Sequence, residues 1–453
     1  MSRDGNVLGI PGTRRSRSLT VAARTCIALL LLATPAFAQD TTTPPLVTPD
    51  NSTTTDTGVK LTPFGKIRLD VAGDVRKMRH EDGVDLVARR FMGDDPEFWL
   101  SGNRTTLGLA LEAPWMLHYG VAAVVSFDFA AISDDGGVPE AFEPRLRLQR
   151  AELILPVTCC FRIDAGYGRD VVAPLRPDVI DPWQAFGSGD IGWERARLAF
   201  RVGRDARQSV GRGVTLPGVI GKTSNDFFDV FGFSFAVADP RASALVSRNA
   251  DGTNGDDGRD NGTPALHGRI SFSAPADPTA PLAQSLTVGL STAIAWQKIV
   301  GVSETRIWPA WVIALDFTLP LVAGLILQGE MWFGSNTDFV GGGMTLSGID
   351  ADTLLPVDSH GGWIQLAWRA RGEWLQLAVT FGLDDPSQID LYKGQGAGQD
   401  GGPDRVQFLG GSVWWIIVPN LVLAVDVTWW KAEFFNELRN ESVRAMLSLQ
   451  LDF

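Results

Sequence analysis

Apolar and polar side chains alternate one by one along much of this chain. From Val443 the odd positions read Val443, Ala445, Leu447, Leu449, Leu451 and Phe453, while Arg444, Ser448, Gln450 and Asp452 stand at even ones. Because successive side chains of a strand point to opposite faces, this segment has one apolar side and one polar side. The same period recurs upstream. Ile67, Leu69 and Val71 alternate with Lys66, Arg68 and Asp70; Phe161, Ile163, Ala165 and Tyr167 with Arg162, Asp164, Gly166 and Gly168; and Ala196, Leu198, Phe200 and Val202 with Arg195, Arg197 and Arg201. Followed through the chain, the pattern predicts roughly sixteen strands, an even number as in bacterial transmembrane barrels.

After the first strand the connections alternate between short and long. Ala113 to Gly120, Pro156 to Cys160 and Pro320 to Gly324 are short, whereas Ala131 to Pro144, Asp170 to Gly192 and Ala238 to Leu266 are long. Bilayer-spanning barrels have this asymmetry, with short turns on one side and long loops on the other. The stretch from Asp205 to Asn225 falls on the short side yet runs about twenty residues, which leaves eighteen strands open. A soluble β-sandwich would bury the polar faces against each other, and these carry Lys66, Arg68, Arg162, Arg195, Arg197 and Arg201. On the lipid side each such cation costs about 2–4 kcal/mol near the midplane, so these faces must line water. The expected fold is all-β, a transmembrane antiparallel β-barrel of about sixteen strands spanning residues 59–453.

Residues 1–38 have the form of a cleaved export signal: Arg14, Arg15, Arg17 and Arg24, then the apolar run from Ile27, then Ala36-Phe37-Ala38. The Thr- and Pro-rich stretch 39–58 reads as a disordered linker. Net charge is −12, and because residues 1–38 hold five Arg and one Asp, a net +4, the remainder carries −16. That balance argues against nucleic acid as a partner. Beyond residue 38 only the adjacent Cys159 and Cys160 remain, too few for a disulfide framework and, without nearby His, an incomplete metal site. The loop 250–262 is rich in Asp, Asn and Gly but lacks the closing Glu of an EF-hand, so a flexible loop is expected ahead of a calcium site. With four His and neither G-x-S-x-G nor H-E-x-x-H, no enzyme activity, cofactor or metal is expected.

The closing strand, with Leu449, Leu451 and Phe453, resembles that of Gram-negative outer-membrane proteins, which end on Phe. The resemblance implies that the barrel-assembly machinery reads these residues as its insertion signal, and that lipid and lipopolysaccharide surround the wall. The whole architecture resembles the trimeric porins. The stretch GRDVVAPLRPDVIDPWQAFGSGDIGWERARLAF, with FGKIRLD and NRTTLGLALEAP, is also similar to the DcaP-like porins. In such porins the third long loop, here 170–192, folds inward and narrows the channel, and three barrels associate.

Within that loop Arg176, Asp178 and Asp181 are candidates to project charge into the lumen. Arg195, Arg197 and Arg201 form a basic ladder on the next strand, joined by Arg145, Arg147 and Arg162 on neighbouring strands and by Lys66 and Arg68 on the first. The guanidinium fork recognises carboxylates, so the expected activity is passive diffusion of small hydrophilic solutes with a preference for small anions such as carboxylates. Two alternatives stay open. The arginines pair across strands with acids such as Glu152 and Asp164, leaving a general pore, or the barrel is plugged or adhesive and conducts nothing.

Overall fold

A computed structural model describes residues 53–54, 58–75, 96–116, 120–129, 146–180, 189–207, 230–240, 262–274, 285–300, 305–322, 324–342, 356, 358–386, 403–434 and 439–453. The export signal 1–38, most of the linker 39–58 and the loop 250–262 lie outside the described residues. Of the linker, Thr53 and Thr54 pair with Leu61 and Lys60, so strand pairing begins ahead of residue 59.

Sixteen strands follow. β1 is Lys60–Asp74; β2 comes in two pieces, Glu97–Ser101 and Thr106–Ala113; β3 is Val121–Asp128, β4 Arg147–Thr158, β5 Phe161–Arg169 and β6 Glu194–Gly203. β7 is Phe231–Ala238, β8 Ala265–Ala274, β9 Leu286–Val300, β10 Thr305–Pro320 and β11 Leu325–Ser335. β12 is Asp358–Arg369, β13 Leu375–Pro386, β14 Pro403–Val418, β15 Leu421–Phe434 and β16 Arg439–Asp452. Each strand pairs antiparallel with the next, and β16 returns to β1 from Arg444↔Asp74 to Asp452↔Lys66, so the sheet is a closed barrel. Closure leaves no unpaired edge, as a hydrocarbon surrounding requires.

The count is sixteen and not eighteen. β6 and β7 pair directly, from Arg197↔Ala238 to Gly203↔Gly232, which leaves no room in the sheet for strands between them. The long connection after β6 opens instead with a helical turn, Arg204–Arg207, that tucks inside the barrel. There Asp205, 1% exposed, accepts hydrogen bonds from Ser234 and Ser271 at 2.7 and 2.8 Å. The alternation of connection lengths also has exceptions on the long side, where only residues 301–304 separate β9 from β10 and 435–438 separate β15 from β16.

The two-residue period sorts side chains as expected. Ile67, Leu69, Leu107, Leu109, Leu449 and Leu451 are exposed on the outside, while Arg68, Asp70, Glu112, Ser448 and Gln450 are buried within. β2 departs from it at residues 102–105, where Ser101 pairs with Asp70 but Thr106 already pairs with Lys66. This interruption re-aims Arg104 into the lumen, where it is 5% exposed. Part of the inner face of β7–β10 is lined by alanines, among them Ala238, Ala265, Ala293, Ala295, Ala310 and Ala314, while Arg269 and Asp316 pair elsewhere on it at 2.7 Å.

The seam between the last and first strands is reinforced twice. The Phe453 and Gly65 main chains exchange hydrogen bonds at 3.0 and 3.1 Å, and a Cβ on Gly65 would come 2.6 Å from the Phe453 ring. On the lumen side Arg444 forks onto Asp74 (Nε–Oδ1 2.7 Å, Nη2–Oδ2 2.8 Å) beneath the face of Trp99, 5.4 Å away. Both partners are fully buried. Arg444→Ala strands the Asp74 carboxylate without its charge partner, an expected loss of about 3–5 kcal/mol. The Arg444→Ala, Asp74→Ala double variant should recover part of it, as read from urea unfolding followed by tryptophan fluorescence.

Candidate channel constriction

The connection between β5 and β6 carries the candidate site. Its two limbs are pinched at the base, where Asp170 N donates to Trp193 O at 2.8 Å and Trp193 N to Asp170 Oδ2 at 3.1 Å. Arg169 staples them further, its Nη2 reaching Ala173 O, Leu175 O and Ile191 O at 3.0–3.2 Å and Asp190 Oδ1 at 3.3 Å. Arg169 is therefore a clamp on the base of the loop.

Beyond the base, the polar contacts of this connection are with inward-facing residues around the barrel. Ala173 N donates to Ser291 Oγ on β9, and Asp178 N to Gln365 Oε1 on β12. The Asp178 carboxylate accepts from Gln376 on β13 at 2.9 Å and lies 3.6 Å from Arg369. Ile180 N donates to Asp426 Oδ2 on β15, and Arg68 of β1 donates to Ile180 O at 2.5 Å. On the return limb Trp332 Nε1 of β11 donates to Gly189 O at 2.8 Å. A chain that leaves β5 and contacts β12 to β15 crosses the lumen. Gly189 sits at φ +85°, and a Cβ there would stand 2.0 Å from Gly362 O, so glycine is needed for the close approach to the wall.

A second segment joins it. After β11, Asn336 turns left-handed (φ 52°), and Thr337–Val340 forms a 3₁₀ turn with Phe339 and Val340 fully buried. Gly192 N donates to Val340 O at 2.7 Å, Arg195 Nη2 to Phe339 O, and Gln297 Nε2 to Asp338 Oδ1 at 2.8 Å. Val172, Ile191, Phe339 and Val340 pack on the alanine face of β7–β10. The small wall residues are the space these two connections occupy. In the sequence, the apolar pair Phe339-Val340 ahead of Gly341-Gly342-Gly343 is the local signal for this inward segment.

Every predicted arginine among the described residues has an acidic partner. Arg195 pairs with Asp170 (2.8 Å), Arg68 with Asp70 (2.7 Å), Arg147 with Asp128, and Arg176, at the loop's exposed side, with Glu194. Two carboxylates are each shared by two guanidiniums: Glu152 by Arg150 and Arg197, and Asp164 by Arg162 and Arg201. Lys66 is half-buried on the inner face of β1. Across the lumen β11 and β15 direct Glu330 and Asp426 inward, both fully buried. Arg145 and Asp181 lie outside the described residues. Arg104 and Arg444 are inward-facing basic residues absent from the sequence-based set.

No protein-family model matches the sequence, and no curated protein sequence does either. Solved structures do. The outer membrane channel DcaP of Acinetobacter baumannii aligns over 88% of this chain and 99% of its own with a TM-score of 0.62 and 12% identity. The fold is that of the outer-membrane porins. Also similar are OprB of Pseudomonas putida (TM-score 0.53, 10% identity, 87% of this chain and 94% of that one) and an anion-selective porin from Comamonas acidovorans (0.50, 12%, 87% and 100%). At these identities the likeness concerns the porin barrel, and residue roles rest on the geometry above.

Burial pushes the Asp190 carboxyl up from 3.8 to about 7 against the pull of Arg176 and the Ile191 amide, with Glu194 adding to the rise. A carboxyl raised on docking is protonated in the docked loop and ionised in the free one between these values, so docking weakens as pH climbs through about 7. Channel current should therefore be steadier at about pH 5.5 than at about pH 8.5. Asp190→Asn should flatten that difference, as measured by open-channel noise in a planar bilayer.

Proposed function

We propose that the protein is an outer-membrane channel for passive diffusion of small hydrophilic solutes, favouring small anions such as carboxylates. The observation that carries this reading is a closed sixteen-strand barrel with a charged inner wall and the 170–193 connection crossing its lumen. A barrel of this size encloses more space than its own wall side chains fill. The guanidiniums of Arg197 and Arg201, held beside Glu152 and Asp164 on the inner wall, supply the anion preference.

The same reading places the chain in the Gram-negative outer membrane, exported by a cleaved signal and inserted by the barrel-assembly machinery through Leu449, Leu451 and Phe453. It has the protein in contact with lipid and lipopolysaccharide, as a homotrimer. A second reading, a sealed barrel, is favoured by the apolar packing of Val172, Ile191, Phe339 and Val340 across one side of the lumen.

Single-channel recording of refolded protein separates the two. Conductance steps in groups of three, with a reversal potential showing anion preference under a salt gradient, are expected. Arg197→Ala removes one of the two guanidiniums on Glu152, so the anion-to-cation permeability ratio should fall severalfold. Folded protein that conducts nothing would establish the sealed barrel instead.

A further inference from the structure

The turn between β4 and β5 holds two thiols that the channel does not use. Cys159 and Cys160 are adjacent and half-buried, with their Sγ atoms 3.0 Å apart. They occupy the tip of a tight hairpin flanked by the pair Thr158↔Phe161. Hydrogen bonds hold the tip on two sides, Cys160 N donating to Thr158 Oγ1 at 3.3 Å and Gly203 N to Cys160 O at 2.8 Å. The sulfurs need to approach by only about 1 Å to reach bonding distance.

We propose that Cys159 and Cys160 form a reversible vicinal disulfide. This rests on the outer-membrane reading for its setting, since the short turns then face an oxidising compartment. The oxidant is a disulfide, either of a small thiol or of an exported thiol oxidoreductase. One cysteine thiolate attacks it, forming a mixed disulfide and releasing one thiol. The neighbouring thiolate then attacks the protein-side sulfur and expels the second thiol. The chain gives up two electrons and two protons, and the oxidant leaves as two thiols. Adjacent Cα atoms stand about 3.8 Å apart, closer than the roughly 4.4–6.8 Å of ordinary disulfides, so the bond belongs to the labile, reducible kind.

Ring closure rotates the peptide between the two cysteines, and with it the Cys160 amide that donates to Thr158 Oγ1.

Intact-mass measurement on the refolded full chain in a Cys26→Ser background tests this. After oxidised glutathione, the chain should be lighter by two hydrogens, carry no glutathione and take no maleimide. Dithiothreitol should restore two maleimide sites per chain. Cys160→Ser should instead keep one glutathione, showing that Cys159 reacts. Two free thiols, a stable glutathione adduct on the parent chain, or a dimer linked between chains would overturn the proposal. The readout needs no current, so a ring without conductance counts against the channel alone, and conductance without a ring against the disulfide alone.

Discussion

The meeting of the last strand with the first is the contact on which everything else depends. Inside a bilayer no water is present to satisfy an open sheet edge, so the wall exists only when Arg444 to Asp452 has found Lys66 to Asp74. These partners stand some 370 residues apart, among the most distant contacts the chain makes, and such pairing is slow to form. The materials at the seam suit that role. Phe453 lies on a glycine that leaves room for its ring, and a buried ion pair fixes the register from the lumen side. A slip of one residue would turn every apolar side chain of β16 inward.

Once the wall is closed, its inner surface serves as a docking template. The loop offers backbone amides and carbonyls, and the wall answers with side chains: Ser291, Gln365, Asp426, Trp332 and Arg68. Polar wall groups that would otherwise face water thus satisfy a crossing chain segment whose described residues, 170–180 and 189–193, form no helix or strand. Where the wall is alanine, the crossing segment is apolar.

Much of the barrel was legible because a period of two is a local property. Leu447, Leu449 and Leu451 must share a face whatever their partners are. What required the structure was everything that depends on register between distant strands. Glu152 and Asp164 were recognisable as acids on the inner face beside Arg150 and Arg162 two residues away, but that each also serves an arginine of another strand follows only from the stagger of β4, β5 and β6. Arg104 was hidden because the turn at 102–105 interrupts the alternation from which orientation is read. Phe339 and Val340 were hidden because a connection has no period, and their burial depends on an alanine face contributed by other strands. The long stretch after β6 looked like spare strands because length alone does not reveal that β6 and β7 pair directly.

The shared carboxylates also bear on how quickly a solute can leave. If the channel proposed above carries anions, one entering beside Arg197 or Arg201 meets a guanidinium already paired with Glu152 or Asp164 and competes with a fixed partner that does not diffuse away. Such a wall would offer shallow resting places in place of deep ones, the condition under which attraction and throughput coexist.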